Sequence, residues 1–180
     1  KKANVKRFIS SGTCFEYGPN HNLEKIPINS QLNPVIPYAA SKVACFQIMN
    51  AFAQSEDIEF FYGRIFTAYG LGQYHKNLWP SMRKAALEGS NFLIKSSSEV
   101  RDFIRVEKVA EHFCKAIYRK DIKKRVPKIV NVGSGIGISI KEFAEREWGK
   151  FNCTGKLEFL NSESNNSQRR LVADIDGLNF

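Results

Sequence analysis

The stretch Ile58–Phe66 restricts the fold more than any other segment, because most of its residues are apolar and they do not alternate with polar ones. Such a strand is buried on both faces, as in a parallel sheet covered by helices on both sides. Two further strand-like runs, Val5–Ser10 and Lys128–Val132, are separated from it by helical patterns at Tyr38–Glu56 and Val106–Tyr118. Strands that alternate with helices form βαβ units. We therefore predict an α/β fold with a doubly wound parallel sheet.

Shorter elements follow the glycines at positions 70 and 72. The spacing of apolar residues predicts a helix at Leu78–Leu87. A second helix is expected to begin after Ser139, because Glu142 stands three residues later and completes a capping box. Two short strands are expected at Phe92–Ile94 and Val100–Ile104, and a polar surface loop is expected at 161–170.

The 180 residues carry a net charge of +9, and 43% of them are hydrophobic. This fits one domain, or a domain with a smaller partner. The basic residues are scattered, without a nucleic-acid-binding motif, and are interpreted mainly as solvated groups that can also attract an anionic small ligand. No apolar run could span a membrane, and the four cysteines are widely spaced. We expect a cytoplasmic protein with reduced thiols, no metal site, no membrane insertion and no nucleic-acid partner.

Tyr38 and Lys42 stand four residues apart in a predicted helix, so both side chains lie on one face. A tyrosine hydroxyl is a weak acid at neutral pH, and a neighbouring ammonium group stabilises its anionic form. Such a tyrosine can exchange a proton with a sugar hydroxyl while the attached carbon is oxidised or reduced. Thr13, at the end of the preceding strand, is placed to hold the substrate oxygen. The Tyr-x-x-x-Lys pattern also recurs by chance, so the pattern alone does not decide.

Further motifs surround these three residues. Arg7–Thr13 is followed by Glu16–Gly18 and by Pro37–Lys42, and Tyr38 comes 25 residues after Thr13. Three more motifs follow at Arg64–Gly70, Val100–Val106 and Val130–Gly135. In this order, and over about residues 5–176, they resemble the NAD-dependent epimerase/dehydratase branch of the extended short-chain dehydrogenases.

The resemblance implies an incomplete NAD(P)-binding Rossmann domain with a smaller C-terminal substrate lobe. Residues 1–70 would form the second half of the Rossmann domain with the catalytic motif. Residues 71–180 would form mainly the substrate lobe, with about 106–132 returning to the Rossmann sheet. No glycine-rich strand-to-helix turn occurs in the sequence. We therefore expect a chain truncated at both ends, inactive without the segment that seats the pyrophosphate of NAD or NADP.

The resemblance also implies roles for single residues. Thr13, Tyr38 and Lys42 would form the catalytic triad, and the last two would also contact the nicotinamide ribose. Phe66 would lie against the nicotinamide through its backbone. For Phe66 and for Leu93, ordinary packing in the core is the alternative. The nucleotide sugar would contact Thr13, Thr67, Asn77, Leu93 and Arg101. Arg101 would face the diphosphate, and the alternatives are an ion pair with the adjacent Asp102 or a solvated position on the strand.

The residues after Thr13 distinguish between reaction types. Sugar-nucleotide 4,6-dehydratases resemble this family but carry an Asp-Glu pair at that place, whereas this chain has Cys14 and Phe15, with Glu16 one position late. A thiol and a phenyl ring do not supply the acid and base that eliminate water. We therefore expect an enzyme, a nucleotide-sugar 4-epimerase or 4-ketoreductase. A 4,6-dehydratase and a non-catalytic nucleotide-binding protein on the same scaffold are the alternatives.

The resemblance finally implies a homodimer built from the helices that carry the catalytic tyrosine. Val43, Phe46, Gln47 and Asn50 are expected on the exposed face of this helix. The partners expected for the whole protein are thus a second copy of the chain and a nucleotide sugar.

Overall fold

A computed structural model describes residues 4–19, 23–95, 97–160 and 169–178. The strands are β1 (Arg7–Thr13), β2 (Glu59–Ile65), β3 (Thr67–Tyr69), β4 (Phe92–Ile94), β5 (Val100–Arg105), β6 (Lys128–Val132), β7 (Gly137–Ser139), β8 (Leu157–Phe159) and β9 (Arg170–Leu171). The helices are α1 (Pro37–Ser55), α2 (Leu78–Leu87), α3 (Val106–Ala116) and α4 (Ile140–Trp148). A 3₁₀ turn spans Cys14–Tyr17. Within these ranges, no helix is long and apolar enough to cross a membrane.

The main sheet is parallel and has the strand order β1-β2-β6. Alternate residues of β2 point to opposite faces, and both faces are covered. Phe60 and Tyr62 pack with Phe46 of α1, while Phe61 packs with Val109 of α3. One helix therefore lies on each side of the sheet, which is the doubly wound arrangement predicted from the apolar character of this strand.

The remaining strands form two smaller sheets. β5 lies between β3 and β7 and also pairs with β9, and β4 pairs with β8. α2 and α4 pack around Met82 and Ala144, both fully buried. Residue 70 does not separate the sheets completely, because β6 pairs with β2 in the main sheet. The division into domains at about residue 70 stays a prediction.

Several predicted boundaries agree closely with the structure. α2 spans the predicted residues, and Ser139 and Glu142 form the expected capping box, with the main-chain nitrogen of each donating to the side chain of the other. β1 starts two residues later than predicted and continues to Thr13, because its last three residues still pair with β2. The predicted polar loop at 161–170 lies outside the described residues except for its last two, and Arg170 belongs to β9.

The exposed face of α1 differs from the prediction at Phe46. This side chain is 7% exposed, because its ring stacks on Phe60 and lies 4.8 Å from the ring of Tyr62. The large apolar residues that α1 does expose are Ile48, at 71%, and Phe52, at 50%. The prediction that Phe46 is exposed was therefore wrong, and the apolar surface of this helix lies further along it.

Candidate active site

A cleft of about 530 Å³ opens at the carboxyl ends of β1 and β2. Ligands of open α/β sheets bind outside this edge of the strands. Residues predicted for the site that line the cleft are Thr13, Tyr38, Lys42, Phe66, Thr67, Asn77 and Arg101. Leu93 does not line this cleft and is 45% exposed on β4. Its contact with a nucleotide sugar stays a prediction.

The beginning of α1 brings Tyr38 and Lys42 to the cleft. Pro37 occupies the first helical position, where its missing N–H leaves no intrahelical bond unmade. Tyr38 follows directly and is half exposed, and Lys42 comes one turn later. The ammonium nitrogen of Lys42 donates to the main-chain oxygen of Ser11 at 3.1 Å. This bond ties the helix to the end of β1.

Thr13 ends β1 and caps the 3₁₀ turn that follows. Its main-chain nitrogen donates to Oε1 of Glu16 at 2.8 Å, and its hydroxyl accepts from the nitrogen of Phe15 at 3.4 Å. These bonds belong to a capping box, which fixes the backbone at the end of the strand. Thr13 is buried yet lines the cleft, so the turn fixes this residue at the cleft wall.

A buried polar network lies behind the cleft. Glu16 is fully buried and forms an ion pair with Arg64, whose Nε donates to Oε2 at 2.9 Å. Arg64 also donates to the hydroxyl of Tyr17, which in turn donates to Asn131 of β6 at 2.6 Å. Tyr62 donates to the other carboxylate oxygen of Glu16 at 2.8 Å. Burial and this hydrogen bond raise the pKa of Tyr62 above its ordinary value, so the hydroxyl keeps its proton.

Sequence reasoning missed this network, although two signals for it were present. Thr13 and Glu16 have the spacing of a capping box, which predicts that the carboxylate turns back toward the strand. Arg64 lies in a strand that is apolar on both faces, and a buried guanidinium requires a buried acceptor. The sequence predictions involve Glu16 and Arg64 only through reaction chemistry and the family motifs.

The alternative partner proposed for Arg101 is wrong. Asp102 is fully buried and accepts from the main-chain nitrogens of Ser134, Gly135 and Ala173. Arg101 instead forms an ion pair with Glu99. Arg101 therefore lines the cleft with part of its charge already balanced.

The far wall of the cleft is aromatic. Phe103 and Phe143 stack with their ring centroids 3.7 Å apart, and Tyr69 meets Phe143 edge-on at 4.8 Å. Trp79 of α2 completes this wall. These four residues come from β3, α2, β5 and α4, so no local pattern in the sequence groups them.

A smaller cavity of about 250 Å³ adjoins the cleft. It shares Phe15 and Arg101 with the cleft and carries Arg169 on its wall, beside the exposed Val35 and Ile36. The cleft and this cavity together form a groove with an aromatic wall and two arginines, which suits a ligand that has an anionic part.

The NAD dependent epimerase/dehydratase family matches residues 1–133, which is most of the chain. The chain belongs to this family. The resemblance inferred from the motifs is thereby confirmed, and with it the fold class. The epimerase/dehydratase match includes β1, α1 and β2, the elements that bring Thr13, Tyr38 and Lys42 to the cleft.

Individual members of the family cover the chain more fully. "Probable UDP-arabinose 4-epimerase 3" of Arabidopsis thaliana is 27% identical over 180 residues, covering 87% of this chain and 42% of that protein. A trifunctional UDP-glucose 4,6-dehydratase/UDP-4-keto-6-deoxy-D-glucose 3,5-epimerase/UDP-4-keto-L-rhamnose-reductase of the same plant is 26% identical over 175 residues, covering 94% and 26%. The chain thus spans less than half the length of these relatives.

Solved structures of the family share the fold. The UDP-N-acetylglucosamine 4-epimerase from Methanobrevibacter ruminantium M1, in complex with UDP-N-acetylmuramic acid, superposes with a TM-score of 0.84 at 23% identity. The superposition covers 99% of this chain and 58% of that structure. The arrangement of strands and helices described above is therefore part of a Rossmann fold.

The different burial of the thiols predicts how fast two of the cysteines react. Burial raises the pKa of the Cys14 thiol to about 12, although Cys14 lines the cleft, whereas Cys114 is exposed. Because the thiolate is the reactive form, iodoacetamide at about pH 8 should alkylate Cys114 at least about 100-fold faster than Cys14. Mass spectrometry of the folded protein measures both rates, and guanidinium chloride should abolish the difference. Equal rates in the folded protein would contradict the burial of this thiol.

Proposed function

We propose that this chain carries the catalytic motif of an NAD(P)-dependent nucleotide-sugar 4-epimerase or 4-ketoreductase. The observation that carries the proposal is the meeting of Thr13, Tyr38 and Lys42 in one cleft at the carboxyl ends of β1 and β2. Membership of the epimerase/dehydratase family and the name of the plant 4-epimerase relative support it. A non-catalytic binding protein would have no need of this set of residues.

The cleft suits the nicotinamide end of a dinucleotide. Phe66 supplies a buried apolar wall, and the ammonium group of Lys42 is held at the cleft by Ser11. Tyr38, Lys42 and the backbone of Phe66 would hold the nicotinamide end, in agreement with the family resemblance. Hydride transfer at the sugar carbon is the chemistry that such a dinucleotide supplies when bound. NAD is the cofactor that the family's name favours.

The remaining roles belong to residues of this chain. Tyr38 would take a proton from the sugar hydroxyl at C4, or return it, and Lys42 would stabilise the anionic form of the tyrosine. Thr13 would hold the same sugar oxygen by a hydrogen bond. Thr67, Asn77 and Arg101 would bind the nucleotide sugar, with Arg101 nearest to the diphosphate.

The surroundings of Thr13 argue against elimination of water. Cys14 occupies the first position after this threonine and keeps its proton, since burial raises the pKa of its thiol to about 12. Glu16 is fully buried and already accepts hydrogen bonds from Arg64, Tyr62 and Thr13. Neither residue is available to protonate and remove a hydroxyl group. The 4,6-dehydratase alternative therefore has no acid on this turn.

A product assay of the full-length parent tests the reaction type. The parent should act at C4 of a nucleotide sugar without forming a 4-keto-6-deoxy product. Turnover without net consumption of cofactor would identify a 4-epimerase, and stoichiometric oxidation of NAD(P)H on a 4-keto sugar would identify a 4-ketoreductase. Accumulation of a 4-keto-6-deoxy sugar from a substrate with a C6 hydroxyl would overturn both, because it requires the acid that is absent here.

Replacement of Tyr38 tests the proposed acid/base. In the full-length parent, Tyr38→Phe should lower kcat by about 100-fold or more, because only the proton-exchanging hydroxyl is lost. Affinity for the cofactor should change little. Tyr118→Phe is the matched control, since Tyr118 is 81% exposed and does not line the cleft. If Tyr38→Phe retained more than about a tenth of kcat, another group would be the acid/base.

We also infer that the parent is a homodimer that uses α1. Lys42 is the only charged residue among the 19 of this helix, and Ile48 and Phe52 are exposed on it. Exposed apolar patches of this kind mark interaction surfaces. The same helix carries Tyr38, so a partner helix against α1 would also steady the catalytic residues.

The four cysteines are free thiols, which supports the expected cytoplasmic location.

Charges placed on this face should separate the two copies. Ile48→Asp combined with Phe52→Asp should convert a dimeric parent into a monomer, because association would bury two carboxylates of each copy. Leu87→Asp is the control, since Leu87 is equally apolar and 61% exposed but lies on α2. Light scattering gives the mass, and circular dichroism checks that each variant is folded. A monomeric unaltered parent at micromolar concentration would disprove the homodimer.

A further inference from the structure

We propose that Glu16 and Tyr62 are positioning residues that hold Thr13 and Lys42 in fixed relation to each other. The inference rests on the proposed function and adds two residues to its machinery. Neither Glu16 nor Tyr62 lines the cleft, so neither would touch the substrate. Each acts through hydrogen bonds to a residue that does line it.

A continuous line of hydrogen bonds joins the two catalytic residues behind the cleft. The main-chain nitrogen of Thr13 donates to Oε1 of Glu16 at 2.8 Å. The hydroxyl of Tyr62 donates to the same oxygen at 2.8 Å, and it lies 3.2 Å from the main-chain oxygen of Lys42. The single hydroxyl proton of Tyr62 is therefore shared between the carboxylate and the backbone of α1, and the carboxylate is the closer acceptor.

The backbone between these residues lies directly against the Glu16–Tyr62 pair. At Gly12, a Cβ atom would come within 2.4 Å of Oε1 of Glu16 and within 2.5 Å of the Tyr62 ring. Only glycine therefore fits between Ser11 and Thr13. Since the main-chain oxygen of Ser11 accepts from the Lys42 ammonium, the pair supports both the backbone of Thr13 and the acceptor that holds Lys42.

The pair is well suited to this task because it is rigid. Glu16 and Tyr62 are at most 1% exposed, and the Arg64 guanidinium balances the buried charge of Glu16. The Tyr62 ring also packs on Phe46. Proton transfer requires its groups at hydrogen-bonding distance, and small displacements of catalytic groups lower the rate strongly. Loss of the hydrogen bonds between Thr13, Glu16, Tyr62 and Lys42 should therefore lower kcat strongly and change the affinity for substrate little.

Tyr62→Phe is the informative variant. Glu16→Gln would leave the Arg64 charge buried without its partner and could prevent folding. Tyr62→Phe keeps the ring packing and removes only the link between Glu16 and Lys42. Tyr17→Phe is the matched control, because Tyr17 is also 1% exposed and belongs to the same network, but its hydroxyl bonds to Arg64 and Asn131 and to no catalytic residue.

In the full-length parent, Tyr62→Phe should lower kcat about tenfold with KM nearly unchanged, while Tyr17→Phe should leave kcat nearly unchanged. Both variants should lose similar thermal stability. A second readout needs no turnover: amide hydrogen exchange in the first turns of α1 should be several-fold faster in Tyr62→Phe than in Tyr17→Phe.

The outcomes separate this inference from the proposed function. If the unaltered parent converts a nucleotide sugar but Tyr62→Phe and Tyr17→Phe have the same kcat and the same exchange, the positioning role is overturned and the proposed function stands. If the unaltered parent converts no nucleotide sugar, the proposed function fails, and hydrogen exchange alone decides whether the pair holds α1 to β1.

Discussion

The ion pair between Glu16 and Arg64 is the interaction on which the rest of the structure depends. Both side chains are almost completely buried, and a buried charge without a partner is strongly destabilising. Further hydrogen bonds join the pair to Thr13, Tyr62 and Tyr17. The pair therefore connects the end of β1 to the middle of the main sheet. The cleft opens on one side of this connection, and the hydrophobic core lies on the other.

A second buried carboxylate organises the other edge of the site. Asp102 pairs with no cation in the part of the chain that the structure describes, and it is held by main-chain nitrogens of the turn at 133–135 and of Ala173. Gly133 is required there, since a Cβ atom would come within 2.5 Å of Oδ2 of Asp102. β5 is thereby joined to the end of β6, and Arg101 on the neighbouring position of β5 is directed to the cleft. Arg101 thus lines the cleft, while the adjacent Asp102 holds the backbone behind it.

The parts of the fold that depend on local pattern could be predicted from the sequence. The apolar character of β2 predicted its burial on both faces, and the spacing of Ser139 and Glu142 predicted the start of α4. Phe46 could not be placed by the same reasoning, because a large residue on a helix face is buried or exposed according to which strand it meets. The aromatic wall of the cleft comes from four separate elements, so its assembly depends on tertiary contacts that no local spacing records.

The sequence separations within the buried network have a consequence for how the protein reaches its native state. Glu16 pairs with Arg64 of β2, and Tyr17 bonds to Asn131 of β6. The network therefore connects the turn after β1 to both of the other strands of the main sheet. Parallel strands need long connections and pair late in folding. The network can therefore close only after β6 has docked on β2. A partly folded chain in which β6 has not docked on β2 would therefore lack the hydrogen bond between Tyr17 and Asn131, and the buried network would stay open at that end.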